Sequence, residues 1–253
     1  DTVWEVLRQY LEIDDPDSIN LQMFNSFLDG SKSAIEMTAV CNATGLVPQA
    51  QGLSFPPSSR FALADVCKPQ KDGGVLTCDG TTEVVSSLDR NGEPVDHHLA
   101  MGTFVIVRPN SDYARQCFRE YHMLPDQSGH YGALYRPTHM IGLELGVSIA
   151  SVALRGEPTG QPHCFSSDVV AVAKRDLKAG ETLDGEGGHC VYGKQMPADA
   201  SIEKNALALG LSGGLTLTRD VDAGEVLCEE DATLDNADEA VQARRMMRAT
   251  FAL

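Results

Sequence analysis

Apolar residues recur at spacings of three and four over Val3, Trp4, Val6, Leu7, Tyr10 and Leu11, which predicts a short amphipathic helix across residues 1–12. It stops at the turn-rich run Asp14-Asp15-Pro16-Asp17. The helical period resumes from Ser18 to Thr44, is interrupted at Gly30, and is closed by Gly45, the residue type that ends helices in a left-handed turn. After a loop marked by Pro48, Pro56 and Pro57, residues 61–68, 74–78 and 101–109 cluster β-branched and aromatic side chains between Gly, Pro and Asp. They read as strands, with turns at 71–74 and 90–94. Residues 112–123 predict a helix, 130–136 a strand, and 138–154 a long apolar helix behind Pro137, with the chain turning at Arg155-Gly156-Glu157-Pro158. An amphipathic helix over 238–251 closes the chain, with Arg244, Arg245 and Arg248 on its polar side.

A change of composition at 157–167, rich in Pro, Gly and Ser, marks a domain boundary. Beyond it the block Arg175-Asp176-Leu177-Lys178-Ala179-Gly180-Glu181-Thr182-Leu183 recurs as Arg219-Asp220-Val221-Asp222-Ala223-Gly224-Glu225-Val226-Leu227. Each copy reads as strand, tight turn and strand, so a small pseudo-symmetric β-unit is expected. The fold class is therefore α+β. A mixed catalytic-type domain over 1–160 precedes a β-unit over 168–234 and a C-terminal helix over 235–253.

The 253 residues carry 36 Asp and Glu against 20 Lys and Arg, a formal net charge of −16. A field this acidic repels phosphate backbones and anionic lipid, and no basic run longer than Arg244-Arg245 offsets it. Nucleic acid and membrane are accordingly set aside as partners. No stretch approaches the ~18 uninterrupted apolar residues of a membrane span. Seven cysteines without a C-x-x-C fit free thiols in a reducing cytoplasm better than disulfides or structural zinc. The first residue is Asp1 rather than Met, and residues 1–10 have neither a basic start nor an apolar signal core, so the chain is expected to begin inside a longer protein.

Chemistry concentrates in two places. On one helix, Asn25, Asp29, Lys32 and Glu36 would fall in a stripe roughly 60° wide at ~100° per residue, beside an apolar face of Phe24, Phe27, Leu28 and Ile35. A Lys flanked one turn away by Asp29 and Glu36 would be held charged, which suits an electrophile that polarises a carbonyl. The competing reading is a solvated face of weak ion pairs. Asp29 and Glu36 could also ligate a metal, a question the spacing leaves open. The second place is Tyr135-Arg136-Pro137-Thr138-His139. Pro137 at a helix start and His139 in its first turn would put two bases at a helix N-terminus, a natural anion site. The alternative is that Arg136 pairs with Glu144 and His139 is structural. His97-His98 reads as a solvated polar turn, Gly185-Glu186-Gly187-Gly188 as a loop, and no G-x-G-x-x-G or P-loop occurs.

The run from Met23 to Met37, continued by Ala39-Val40-Cys41-Asn42-Ala43-Thr44-Gly45-Leu46, resembles the signature helix of the homoserine-dehydrogenase-like oxidoreductases, including reductoisomerase-like enzymes of isoprenoid biosynthesis. Tyr135–Arg136 followed by Pro137-Thr138-His139, with Leu143-Glu144, is similar to a second block of that family, and the doubled R-D-x-x-A-G-E-x-L resembles its C-terminal SAF domain, a β-clip fold. The resemblance implies an NAD(P)-dependent oxidoreductase or oxidoisomerase for a small anionic sugar derivative. It favours Lys32, Asp29 and Glu36 as catalytic and Asn25, Arg136 and His139 as substrate-binding. NAD(P) would be bound mainly by an N-terminal nucleotide domain that this chain does not show, and the enzyme would be a cytoplasmic homo-oligomer. A non-catalytic SAF-containing binding or assembly module is the competing reading.

Overall fold

In the computed structural model of the chain, which describes residues 15–121 and 123–251, Gly30 takes φ +84°, a left-handed value that glycine adopts without strain. The helical stretch from 18 to 44 is thereby broken into α1 (Leu21–Leu28) and α2 (Ser31–Thr44). The chain continues through α3 (Leu63–Val66), β1 (Thr103–Val107), α4 (Asp112–Glu120), β2 (Leu124–Pro125), β3 (Gly132–Arg136), α5 (Leu145–Arg155), β4 (Ser167–Ala173), β5 (Val191–Pro197), α6 (Ala198–Glu203) and α7 (Glu239–Phe251). The fold is α+β, as the patterning predicts. The helix expected over 1–12 lies outside the described residues.

Three local expectations are corrected. Residues 61–68 form α3 rather than a strand, because Leu63 and Ala64, adjacent in sequence, are both buried, and a strand would send them to opposite faces. Residues 74–78 contribute a single bridge, Pro69 to Leu76, not a strand. The apolar helix begins only at Leu145, since Gly142 takes φ +82°. Residues 138–140 are irregular and 141–144 turn, and Pro137 does not start a helix.

Residues up to Gly52 and from Pro162 onward make one compact unit, and Leu53–Gln161 the other. The change at 161–162 falls inside the composition break read from the sequence. The change at 52–53 has no comparable signal. In the first unit β4 and β5 pair antiparallel, Ser167 opposite Pro197 through Ala173 opposite Val191, and α2 packs on both strands. Leu177, Leu183, Val191, Leu207, Leu217 and Leu227 form the core on one side. The repeat folds as a pseudo-twofold pair: Leu177 and Val221 exchange backbone bonds at 2.8 and 3.0 Å. Each Asp of the repeat caps the opposite turn, Asp220 accepting from Ala179 N and Asp176 from Ala223 N, both at 2.9 Å. Only β4 and β5 are regular strands here; the flanks of both turns are otherwise single bridges. The arginines of α7 are paired rather than solvated. Arg244 grips the buried Asp168 with both terminal nitrogens, and Arg248 bonds Glu229 at 2.8 Å.

The second unit is an antiparallel sheet ordered β1-β3-β2, with Leu63, Leu99, Tyr131 and Ala133 as its core. A buried carboxylate ties it down. Asp126 accepts from Lys68 Nζ at 2.8 Å, Ser128 Oγ at 2.7 Å, His130 N at 2.9 Å and Tyr131 N at 3.0 Å. Burial opposes its charge, but these donors outweigh burial and hold the carboxyl well below the usual carboxylate range. Such a group stabilises the fold above the ordinary Asp pKa of about 3.9, and that stability is lost as pH falls below it. The protection factor at the Tyr131 amide, corrected for intrinsic exchange, should therefore fall as pH is lowered from about 4 toward 2. Lys68→Met, which leaves Asp126 buried without its cation, should cost about 3 kcal/mol at pH 7 and flatten that acid dependence.

Candidate functional site

The break at Gly30 redistributes the polar stripe. Asn25 stays on α1, Asp29 becomes its C-cap, and Lys32 and Glu36 ride on α2, so the four no longer share one helix face. Three of them converge instead on the loop around Gly185–Gly188. Asn25 Nδ2 donates to Gly187 O at 2.8 Å, Lys32 Nζ pairs with Glu186 Oε1 at 3.0 Å, and Asp29 Oδ2 lies 2.6 Å from Lys174 Nζ as an ion pair. Lys174 donates onward to Gly188 O at 2.6 Å, and Gln22 Nε2 to Glu186 O at 2.9 Å. Tyr192 lies on the adjoining strand, where burial, reinforced by the Asp29 charge, raises its phenol pKa. Glu36 is exposed and has no ion pair among the described residues. The expected flanking of Lys32 by Asp29 and Glu36 is thus corrected: each charge on the stripe that is paired finds its partner across the unit, 145 or more residues away in sequence.

Lys174 and Glu186 were not singled out from the sequence. A signal existed for the first. The repeat aligns Lys174 with Thr218, and a charge in only one copy of an otherwise matched block marks a position with a duty the symmetry does not share. Glu186 sits among glycines, where spacing gives no partner.

The second cluster belongs to the Leu53–Gln161 unit. Glu144 is the N-cap of α5 and takes Arg136 Nη2 on Oε1, while its Oε2 lies 3.5 Å from His139 Nδ1. The helix-terminus anion site expected from Pro137 and His139 is therefore corrected: a carboxylate occupies the position an anion would take, and like charge excludes a second one there. Glu144 instead gathers Arg136 and His139 around one carboxylate, and these two side chains remain 61% and 45% exposed.

Among the described residues no three or more His, Cys, Asp or Glu side chains converge as a metal site. All seven cysteines are free thiols. No described helix is long and apolar enough to cross a membrane.

The family model for the catalytic domain of oxidoreductase DRL matches residues 4–145, and that for the SAF domain matches residues 168–233. No curated protein matches the chain.

The asymmetry between the two lysines is testable. Lys174→Met strands Asp29, whose side chain is only 12% exposed, and should cost about 2–3 kcal/mol in urea unfolding. Lys32→Met, which breaks a pair about one-third exposed on each side, should cost less than about 1 kcal/mol. Equal losses would show that the loop is not held through Asp29.

Proposed function

Because this chain belongs to the DRL oxidoreductase family, we propose that it is the catalytic and SAF portion of an NAD(P)-dependent oxidoreductase or oxidoisomerase. Its substrate is a small hydroxylated sugar derivative carrying a phosphate or carboxylate. The family match gives the oxidoreductase class. The observation that supports acid–base work on a hydroxyl or carbonyl is Glu144, which bridges Arg136 and His139.

In this reading His139 is the catalytic acid–base. Its Nδ1 faces Glu144 at 3.5 Å, so Nε2 is the nitrogen assigned to take the proton from a substrate hydroxyl or return it to a carbonyl oxygen. Arg136 pairs with Glu144 through Nη2 and so orients the carboxylate. Asn25, Asp29 and Lys32 are positioning residues that hold the Gly185–Gly188 loop, and Glu36 is left to solvent.

The described residues do not fit a nicotinamide dinucleotide. Its pyrophosphate needs an open helix N-terminus, and the longer described helices either carry a capping side chain there or, at α5, begin at a carboxylate that repels an anion. Asn20 accepts from Met23 N on α1, Asp29 from Ser31 N on α2, Ser111 from Ala114 N on α4 and Asp238 from Ala240 N on α7, while Glu144 stands at the start of α5 without a side-chain capping bond. We propose that NAD(P) is bound mainly by a separate N-terminal nucleotide-binding domain.

We also propose a homo-oligomer joined through α5. Leu143, Leu145, Val147, Ile149, Val152 and Leu154 are each at least 58% exposed, and no residue of α5 is buried. Together they leave on the order of 500 Å² of apolar surface, a large part of the ~800 Å² per partner of a stable interface. The other class of function, a non-catalytic assembly module, would use this same surface.

Two measurements decide. In the full-length protein, nicotinamide absorbance followed over a panel of sugar phosphates and sugar acids should show turnover. His139→Gln should lower kcat/KM by ~100-fold or more, and Glu144→Gln by ~10–100-fold, with unchanged melting temperatures. No turnover with any of them, or a fully active His139→Gln, overturns the enzyme reading. Sedimentation should show a dimer or larger, and Val147→Glu should shift it to monomer.

A further inference from the structure

The other buried or partly buried cations of this acidic chain are largely neutralised. Lys32, Lys68, Lys174, Arg175, Arg244 and Arg248 each pair with a carboxylate. Arg60 is different. No carboxylate lies within ion-pair reach of it among the described residues, and its Nε–H is buried without a hydrogen-bond partner there. Its guanidinium carbon instead lies 5.0 Å from the Phe61 ring centroid and 5.9 Å from that of Tyr135. His97 stacks edge-on against Phe61 at 5.3 Å, in a T-shaped arrangement.

The backbone around this cluster is strained to make it. His97 takes φ +55°, and its carbonyl accepts the Arg60 N–H at 2.9 Å while Ser59 bridges His98. Phe55 and Met101, which flank the two loops, also hold positive φ, at +48° and +63°. Left-handed backbone at non-glycine residues costs of order 1 kcal/mol or more each, and such residues gather where a site must be shaped. Aromatic faces cover the flat sides of a guanidinium and leave its edge, the fork that recognises carboxylate and phosphate, free to bind. Held in that way, the fork loses little freedom on binding.

We infer that Arg60, stacked by Phe61 and Tyr135, is the binding site for the oxyanion group of a small molecule, a phosphate ester or a sugar carboxylate. It supplies the anion contact that Arg136, taken up by Glu144, does not. Tyr135 on β3 directly precedes Arg136, so the same strand carries a ring of the anion site and the arginine of the acid–base cluster. The identification of this small molecule as the substrate rests on the oxidoreductase reading; the anion site itself does not.

Titration calorimetry on the 253-residue chain, without nicotinamide, tests the site with glycerol 1-phosphate, D-gluconate and inorganic phosphate. Saturable binding of glycerol 1-phosphate or of gluconate is expected. Displacement by inorganic phosphate assigns a phosphate ester, and binding of gluconate alone assigns a carboxylate. Arg60→Gln should weaken binding at least tenfold. Arg60→Lys should recover only part of it, because the planar fork is lost, and Phe61→Leu should weaken it about threefold. Arg90→Gln, at an unstacked arginine that bonds only Ser54 O, should change nothing. Failure of both organic probes to bind, or equal affinity in Arg60→Gln and the unaltered chain, overturns the inference; should Arg60→Gln not fold, Phe61→Leu with wild-type affinity does so. Anion binding at Arg60 in a protein without dehydrogenase turnover would leave this site standing and remove the enzyme reading. Intact turnover in Arg60→Gln with undiminished affinity for its substrate would do the reverse.

Discussion

The first unit depends on how closely α2 can lie on the β4–β5 hairpin. Gly193 sits where they meet: a Cβ there would come within 2.6 Å of a Leu209 methyl, 3.0 Å of Val169 Cγ1 and 3.4 Å of Ser31 Cα. With hydrogen in that place, Gly193 N donates to the buried Ser31 Oγ at 2.7 Å. Further along α2, the Asn42 carbonyl accepts from Ser166 N and Ser167 N at 2.9 and 3.1 Å, while its amide donates to Ser167 O at 3.0 Å. Thr38 adds a hydroxyl contact to Ser167 at 2.9 Å. These bonds satisfy backbone groups at the start of β4 that burial would otherwise leave costly. They also join α2 to the SAF fold, so this part of the catalytic-domain match shares a core with the SAF match.

That docking decides what the polar stripe does. Once α1 and α2 are held against the hairpin, Asn25, Asp29 and Lys32 meet the loop around Gly185–Gly188, and Lys174 reaches back from the end of β4. The Asp29–Lys174 pair is the more shielded of the two ion pairs, at 12% and 20% side-chain exposure, and so the more consequential when broken. The charges therefore serve cohesion within the unit.

The Leu53–Gln161 unit shows the opposite economy. Its buried Lys68 and Asp126 are paired with each other, whereas its exposed turn after β3 leaves a histidine and an arginine accessible around one carboxylate. Arg60 completes the contrast, a cation stacked on aromatic rings instead of being neutralised. The Lys68–Asp126 pair holds the sheet, and the accessible cations stand at its ends.

Local, repeated information was legible in the chain. The period of three and four located α1, α2, α4 and α7, β-branched runs located β1 and β3, and the doubled R-D-x-x-A-G-E-x-L predicted paired turns whose aspartates cap each other. Those features depend on neighbours within a few residues or on an internal copy, both visible in sequence. What only the tertiary structure decided is partnership at long range. Lys174 for Asp29, Glu186 for Lys32 and the aromatic faces for Arg60 are set by packing across the unit, and spacing along one helix cannot report them. The same holds for the short α3 and the late start of α5. There burial of adjacent Leu63 and Ala64, and a left-handed Gly142, overrode the local pattern, because the free energy of burying side chains exceeds the few tenths of a kcal/mol by which one backbone state is locally preferred.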